Sequence, residues 1–205
     1  MGNPVFVEKT SLSRLERLWR TARPWLLPLA LVLVLRITGA LAVISQLSGS
    51  LLLRTGLLNA STDAPAVMHP FPYEFRLRDL EGQVVDVSRW KGKMLFVNIW
   101  ATWCGPCRVE MPSIEALYRG ADSSKVEFLM ISVDDEADLG KIKSFVSDKG
   151  FSFPVYQPVG SLPELLKVRS IPSTFIVDTD GKVIVRESGL ANYDTDAVKA
   201  LLRPR

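Results

Sequence analysis

Residues 94–110 read MLFVNIWATWCGPCRVE, and the succession of residue types in this stretch decides the fold. Met94 to Trp100 is a continuous apolar run with one polar break, Asn98, as in a strand buried on both faces. A helix is expected directly after it, over residues 105–119. Cys104 and Cys107, the two cysteines of the chain, stand at the junction between them.

The spacing C-x-x-C on a helix puts two sulfurs one turn apart on one face, where they can close a small disulfide or reopen it. At a helix N-terminus, unpaired backbone N–H groups and the helix dipole stabilise a thiolate, the nucleophile of thiol-disulfide exchange. Cys104, at the helix end, is therefore read as the exposed attacking sulfur and Cys107, one turn in, as the buried resolving one. A purely structural bridge fits less well, because a ring of four residues removes little entropy from the unfolded chain. A zinc site fits less well again, since no second cysteine pair completes a tetrahedron.

Outward from the motif, Val126 to Val133 reads as a second buried strand and 135–149 as an amphipathic helix ended by Gly150. Tyr73–Leu77 and Gln83–Val87 read as short strands joined by a turn at Glu81-Gly82. Short elements follow near Phe153–Tyr156 and Pro163–Lys167. Thr174–Val177 and Lys182–Arg186 form a hairpin across Asp180-Gly181, and a helix closes the chain over about 194–202. The expected class is α/β, a central mixed sheet flanked by helices on both faces.

The 205 residues leave room for one such domain plus an extra segment. The formal charge of +3 belongs to the N-terminus, where Lys9, Arg14, Arg17, Arg20 and Arg23 outnumber Glu8 and Glu16. Residues 60–205 are slightly acidic and carry no basic stripe, which argues against a nucleic-acid partner. Residues 25–53 (WLLPLALVLVLRITGALAVISQLSGSLLL) are almost wholly apolar, long enough for one membrane span and too short for two. Arg36 within it is expected to lie toward a surface, and Trp19 and Trp25 suit an interfacial belt. The basic residues precede the span, so the N-terminus is expected in the cytoplasm and the remainder outside it. A cleaved signal peptide is the alternative, with Ala40-Leu41-Ala42 and Ala64-Pro65-Ala66 as small-x-small candidates. The expected organisation is a basic cytoplasmic N-terminus over 1–24, an anchor over 25–53, a tether over 54–72 and a folded domain over 73–205. The single histidine, His69, falls in the tether.

The segments FVNIWATWCGPCRVEMPSIEALY (96–118) and SIPSTFIVDTDGKVI (170–184) resemble the thioredoxin superfamily, and more narrowly its TlpA/ResA-like membrane-anchored thiol-disulfide oxidoreductases, over about residues 70–203. The resemblance implies a thioredoxin-like fold with Cys104 and Cys107 as the redox pair and Gly105-Pro106 as its intervening dipeptide. It implies that Pro172 is a cis-proline facing the disulfide, with the backbone at Ile171 pairing with an extended substrate, and that Pro112 matches the proline of the active-site helix. Where thioredoxins carry a buried aspartate this chain has Asn98, which cannot act as a base. The TlpA/ResA-like branch instead has a glutamate three residues after the second cysteine, here Glu110. If partly buried, Glu110 would have a raised pKa and could exchange a proton with Cys107; the simpler alternative is a solvated glutamate paired with Arg108 or Arg119. Trp103 is expected on the docking surface.

The expected activity is reduction of disulfides in exported proteins, for example during cytochrome c maturation. No cofactor is expected beyond the Cys104–Cys107 disulfide. The implied partners are exported protein thiols and a membrane donor of reducing equivalents. A copper-delivery protein of thioredoxin fold is the alternative, weakened by the close cysteine spacing and by the tether position of His69. Peroxidase activity is disfavoured, because the Pro-x-x-x-Thr-x-x-Cys context is missing.

Overall fold

A strand whose seven residues are all buried sets the architecture. β3 (Met94–Trp100) sends Met94, Phe96 and Trp100 into one apolar cluster and Leu95, Val97 and Ile99 into another. Full burial of such side chains contributes about 1.5 to 3 kcal/mol each. The computed structural model describes residues 12–37, 53, 55–56, 58–62 and 69–203. The other strands are β1 (Arg76–Asp79), β2 (Val84–Asp86), β4 (Val126–Ser132), β5 (Val155–Val159), β6 (Ser173–Val177) and β7 (Val183–Ser188). They form one mixed sheet in the order β2-β1-β5-β4-β3-β6-β7. β3 runs parallel to β4 with Trp100 opposite Ser132, and antiparallel to β6 with Ile99 opposite Ser173.

Helical segments cover both faces, though of unequal kinds. The α-helices α2 (Gly105–Gly120), α3 (Leu139–Lys149) and α4 (Asp196–Leu201) all bury their apolar residues in the cluster of Phe96 and Trp100. Two short 3-10 helices, Val87–Trp90 and Glu164–Leu166, close the opposite face with Phe71 and Tyr73. Both β3-to-β4 and β4-to-β5 connections step the same way across the sheet, and right-handed crossovers stepping the same way lie on one face.

Several expected boundaries shift: the strand expected over Tyr73–Leu77 is β1 at Arg76–Asp79, and the element expected near Phe153–Tyr156 is β5 at Val155–Val159. The helix expected over 135–149 is a 3-10 turn, Glu136–Asp138, followed by α3 from Leu139, and it does end at Gly150, whose φ of 66° is left-handed. Neither Asp135 nor Asp138 caps with its side chain, so no cap marks the point at which the 3-10 turn gives way to the α-helix. The hairpin turns through Gly181 at φ 79°, with Asp178 Oδ1 accepting from the N–H groups of Asp180 and Lys182.

Residues 58–61 and 69–71, within the stretch read as a tether, are bonded to the domain. Ala60 donates to the Asn192 carbonyl, Phe71 to the Gly181 carbonyl, and the His69 carbonyl accepts from Val183. Bridges of two or three residues leave no period for composition or hydropathy to register. The histidine itself is exposed.

Residues 1–45 form a separate unit containing α1 (Leu12–Ile37), with Pro24 and Pro28 inside it and Trp25, Leu26, Leu27 and Leu29 exposed. Among the described residues, no helix is long and apolar enough to cross a membrane. Residues 38–52 of the expected anchor region lie outside the described residues.

Candidate active site

α2 begins where β3 ends, and the turn between them carries the cysteines. Cys104 is the N-cap: its backbone is extended, its Sγ accepts from the Cys107 N–H at 3.2 Å, and Gly105 and Pro106 form the exposed first turn. Proline is tolerated there because the first N–H groups of a helix have no intrahelical acceptor. Cys104 and Cys107 are joined by a disulfide with Cα atoms 5.3 Å apart. Cys104 is 5% exposed and Cys107 0%, so the sulfur expected to attack is the more accessible, though it shows only an edge.

The turn is held from behind by Asp134, just beyond β4. Its buried carboxylate accepts from the Thr102 N–H at 2.8 Å, the Thr102 hydroxyl at 2.6 Å and the Ser132 hydroxyl at 2.7 Å. Trp103, between this clamp and Cys104, is 65% exposed. The sequence reading missed Asp134, which falls between the strand and the helix expected there and carries no spacing signal to the cysteines.

Glu110 lies on the buried stripe of α2 with Cys107, Met111, Ile114 and Leu117, and is 0% exposed. Asn98 Nδ2 donates to Glu110 Oε1 at 2.9 Å and to Thr174 Oγ1 at 2.9 Å, Tyr193 Oη donates to the same Thr174 oxygen at 2.7 Å, and the Ala191 N–H approaches Glu110 Oε2 at 3.4 Å. Desolvation pushes the Glu110 carboxyl up to about 8; the hydrogen bonds from Asn98 and Ala191 oppose this, and the nearby Glu187 charge adds to it. Burial likewise holds the Tyr193 hydroxyl well above its ordinary range, with the Glu110 charge contributing.

The solvated alternative for Glu110 is set aside by this burial. Arg119 pairs with Glu115, and the Arg108 guanidinium lies over the Phe145 ring. Thr174 and Tyr193 completed the constellation unnoticed, because neither carries a spacing signal to the cysteines. Asn98 is no base, but it is the donor that spans Glu110 and Thr174.

The Ile171–Pro172 peptide is cis, and Pro172 is buried beside a half-buried Ile171. The register that sets Ile99 against Ser173 places Pro172 at the end of the sheet from which the cysteine turn leaves. Pro112 sits inside α2 on its exposed side, and the helix continues through it.

The family model described as Redoxin matches residues 62–202. The thiol-disulfide oxidoreductase ResA of Bacillus thuringiensis subsp. konkukian is 38% identical over 118 residues, covering 56% of this chain and 66% of that protein. The match thus spans just under two thirds of that relative's length. ResA of Halalkalibacterium halodurans is 30% identical over 132 residues, covering 63% and 74%. Among solved structures, a thiol:disulfide interchange protein of the thioredoxin family from Chlorobium tepidum superposes with a TM-score of 0.54 at 28% identity, covering 68% of this chain and all of that one.

Proposed function

Because the chain belongs to the Redoxin family, we propose that it is a thiol-disulfide oxidoreductase that reduces disulfides of exported proteins. The observation that carries the reading is a disulfide at a helix N-terminus with a buried carboxyl of raised pKa one turn further along the same stripe.

In the reduced enzyme, the Cys104 thiolate attacks one sulfur of a partner disulfide, a mixed disulfide forms, and the other partner sulfur leaves as a thiolate. Cys107 then loses its proton to the Glu110 carboxylate and attacks Cys104 Sγ. This releases the second partner thiolate and closes the Cys104–Cys107 bond. Two electrons pass to the partner, whose two thiolates take protons from solvent. A dithiol donor at the membrane reverses the change, Glu110 returning its proton to Cys107 as the ring opens. With a pKa of about 8 the carboxyl is mainly protonated near neutral pH and keeps a minority carboxylate form, so both the form that gives a proton and the form that takes one are present.

The setting belongs to the same proposal: a single-pass anchor over 25–53 in the cytoplasmic membrane, with the domain on the extracytoplasmic side. Arginines preceding an apolar stretch and the outward apolar side chains of α1 support it. The resemblance to the TlpA/ResA-like proteins suggests apocytochrome c thiols as substrates.

The test is Cys107→Ser in the native host. Mixed disulfides between Cys104 and exported proteins are the expected result. No trapped partner, together with stoichiometric copper binding by the unaltered protein, overturns the reading.

A further inference from the structure

Residues 191–193 alternate between two neighbours. The N–H groups of Ala191 and Tyr193 point to α2, the first to Glu110 Oε2 and the second to Ser113 Oγ at 3.2 Å. The intervening Asn192 faces away, and there it meets residues 58–60. Its N–H donates to the Leu58 carbonyl at 2.7 Å, its carbonyl accepts from the Ala60 N–H at 3.0 Å, and its side-chain amide donates to Asn59 Oδ1 at 3.3 Å. Such alternation is that of an extended strand, whose successive groups serve opposite sides.

The contact extends beyond this bridge. Ala60 is 8% exposed and belongs to the same apolar cluster as Ala191, Tyr193 and Cys107. The Ser61 N–H donates at 3.1 Å to Oε2 of Glu187, the β7 carboxylate whose charge acts on Glu110.

We infer that residues 58–61 are a positioning strap for Glu110: by holding Asn192 through both its N–H and its carbonyl they keep Ala191 and Tyr193 against the carboxyl and shut water out. The part of the chain that enters the domain thereby sets the polarity around its buried acid. The groups facing Glu110 are Asn98 from β3, Thr174 from β6, Glu187 from β7, Ala191 and Tyr193 from the closing loop, and Cys107 on its own helix. Since desolvation is the largest influence on the carboxyl, lifting the strap admits water and lowers its titration midpoint. Loss of the long Ala191 bond acts the other way and is the smaller effect.

This inference rests on the proposed role of Glu110 for its meaning in catalysis, but its readout is independent of catalysis. In the oxidised full chain, the infrared carbonyl band of a protonated buried carboxyl that disappears in Glu110→Gln reports Glu110 directly. Ala60→Pro, which lacks the N–H given to Asn192, is expected to lower the midpoint of that band by about one pH unit or more. Ala60→Ser, which keeps the N–H and the small size, is expected to titrate as the unaltered protein does. Inserting two glycines between Leu58 and Asn59 breaks the bridge without proline and is expected to act as Ala60→Pro does, should proline unfold the domain. A midpoint unchanged or raised in a folded strap variant overturns the inference. Alkylation of the reduced cysteines reads the other question separately: a pH profile unaltered in Glu110→Gln removes the proton-transfer role of Glu110, whatever the infrared midpoint does.

Discussion

Glu110 is the residue on which sequence and structure depend most closely on each other. Helical spacing puts a glutamate at the third position after Cys107 on the face of α2 that carries the cysteines, but only the structure shows that this face is buried there. Its partners were not legible, because Asn98, Thr174 and Ala191 come from three other places in the chain. Burial has a thermodynamic sign. With a folded pKa of about 8 against the ordinary 4.5 of a glutamate, the native state binds a proton over that window that the unfolded chain has released. Stability therefore falls as pH rises between the two values, by about 1.4 kcal/mol per pH unit. Glu110→Gln removes the titration. Thermal unfolding of the oxidised protein is expected to show the variant gaining on the unaltered protein steadily from about pH 5 to about pH 8. Parallel curves would place the carboxyl in its ordinary range.

At the scale of elements, the ends of β3 and β4 and the start of α2 act as one piece through Asp134. Its side chain is wholly buried, and Asp134→Ala leaves the Thr102 N–H, the Thr102 hydroxyl and the Ser132 hydroxyl without their acceptor. Unsatisfied buried groups cost about 1 to 3 kcal/mol each. Urea unfolding of Asp134→Ala is expected to show a loss on the order of 3 kcal/mol, with the turn carrying Cys104 loosened. A loss under about 0.5 kcal/mol would make the clamp incidental. The central strands and the last hairpin were readable, the outer strands less so. β3 and β4 announce themselves as apolar runs, and the β6–β7 hairpin by Asp180-Gly181. The 3-10 coverage of one face was not readable, because Val87–Trp90 and Glu164–Leu166 are too short to show a period. The start of α3 was not readable, because neither Asp135 nor Asp138 caps with its side chain and a 3-10 turn precedes the helix without a break.

For the whole molecule, charge and hydropathy divide the chain into an N-terminal basic and apolar part and a near-neutral domain. The proposed orientation is open to a direct measurement. A reporter that gains activity only outside the cytoplasm, fused after Arg205, is expected to be active, and the same reporter fused within residues 1–24 inactive. The reverse pattern would invert the topology.

The strand order also schedules the birth of the domain. A ribosome delivers β1 and β2 first, yet these short strands need β5, whose Val159 pairs with Arg76, and a lone hairpin is marginal in water. β3 follows early with one edge reserved for β6, which emerges more than seventy residues later. Until then a largely apolar strand waits with a bare edge, the condition that makes nascent chains sticky. The Cys104–Cys107 ring closes within four residues and needs none of that sheet. Oxidation can thus precede folding, and the chain can reach its native shape already carrying the bond it is later to exchange.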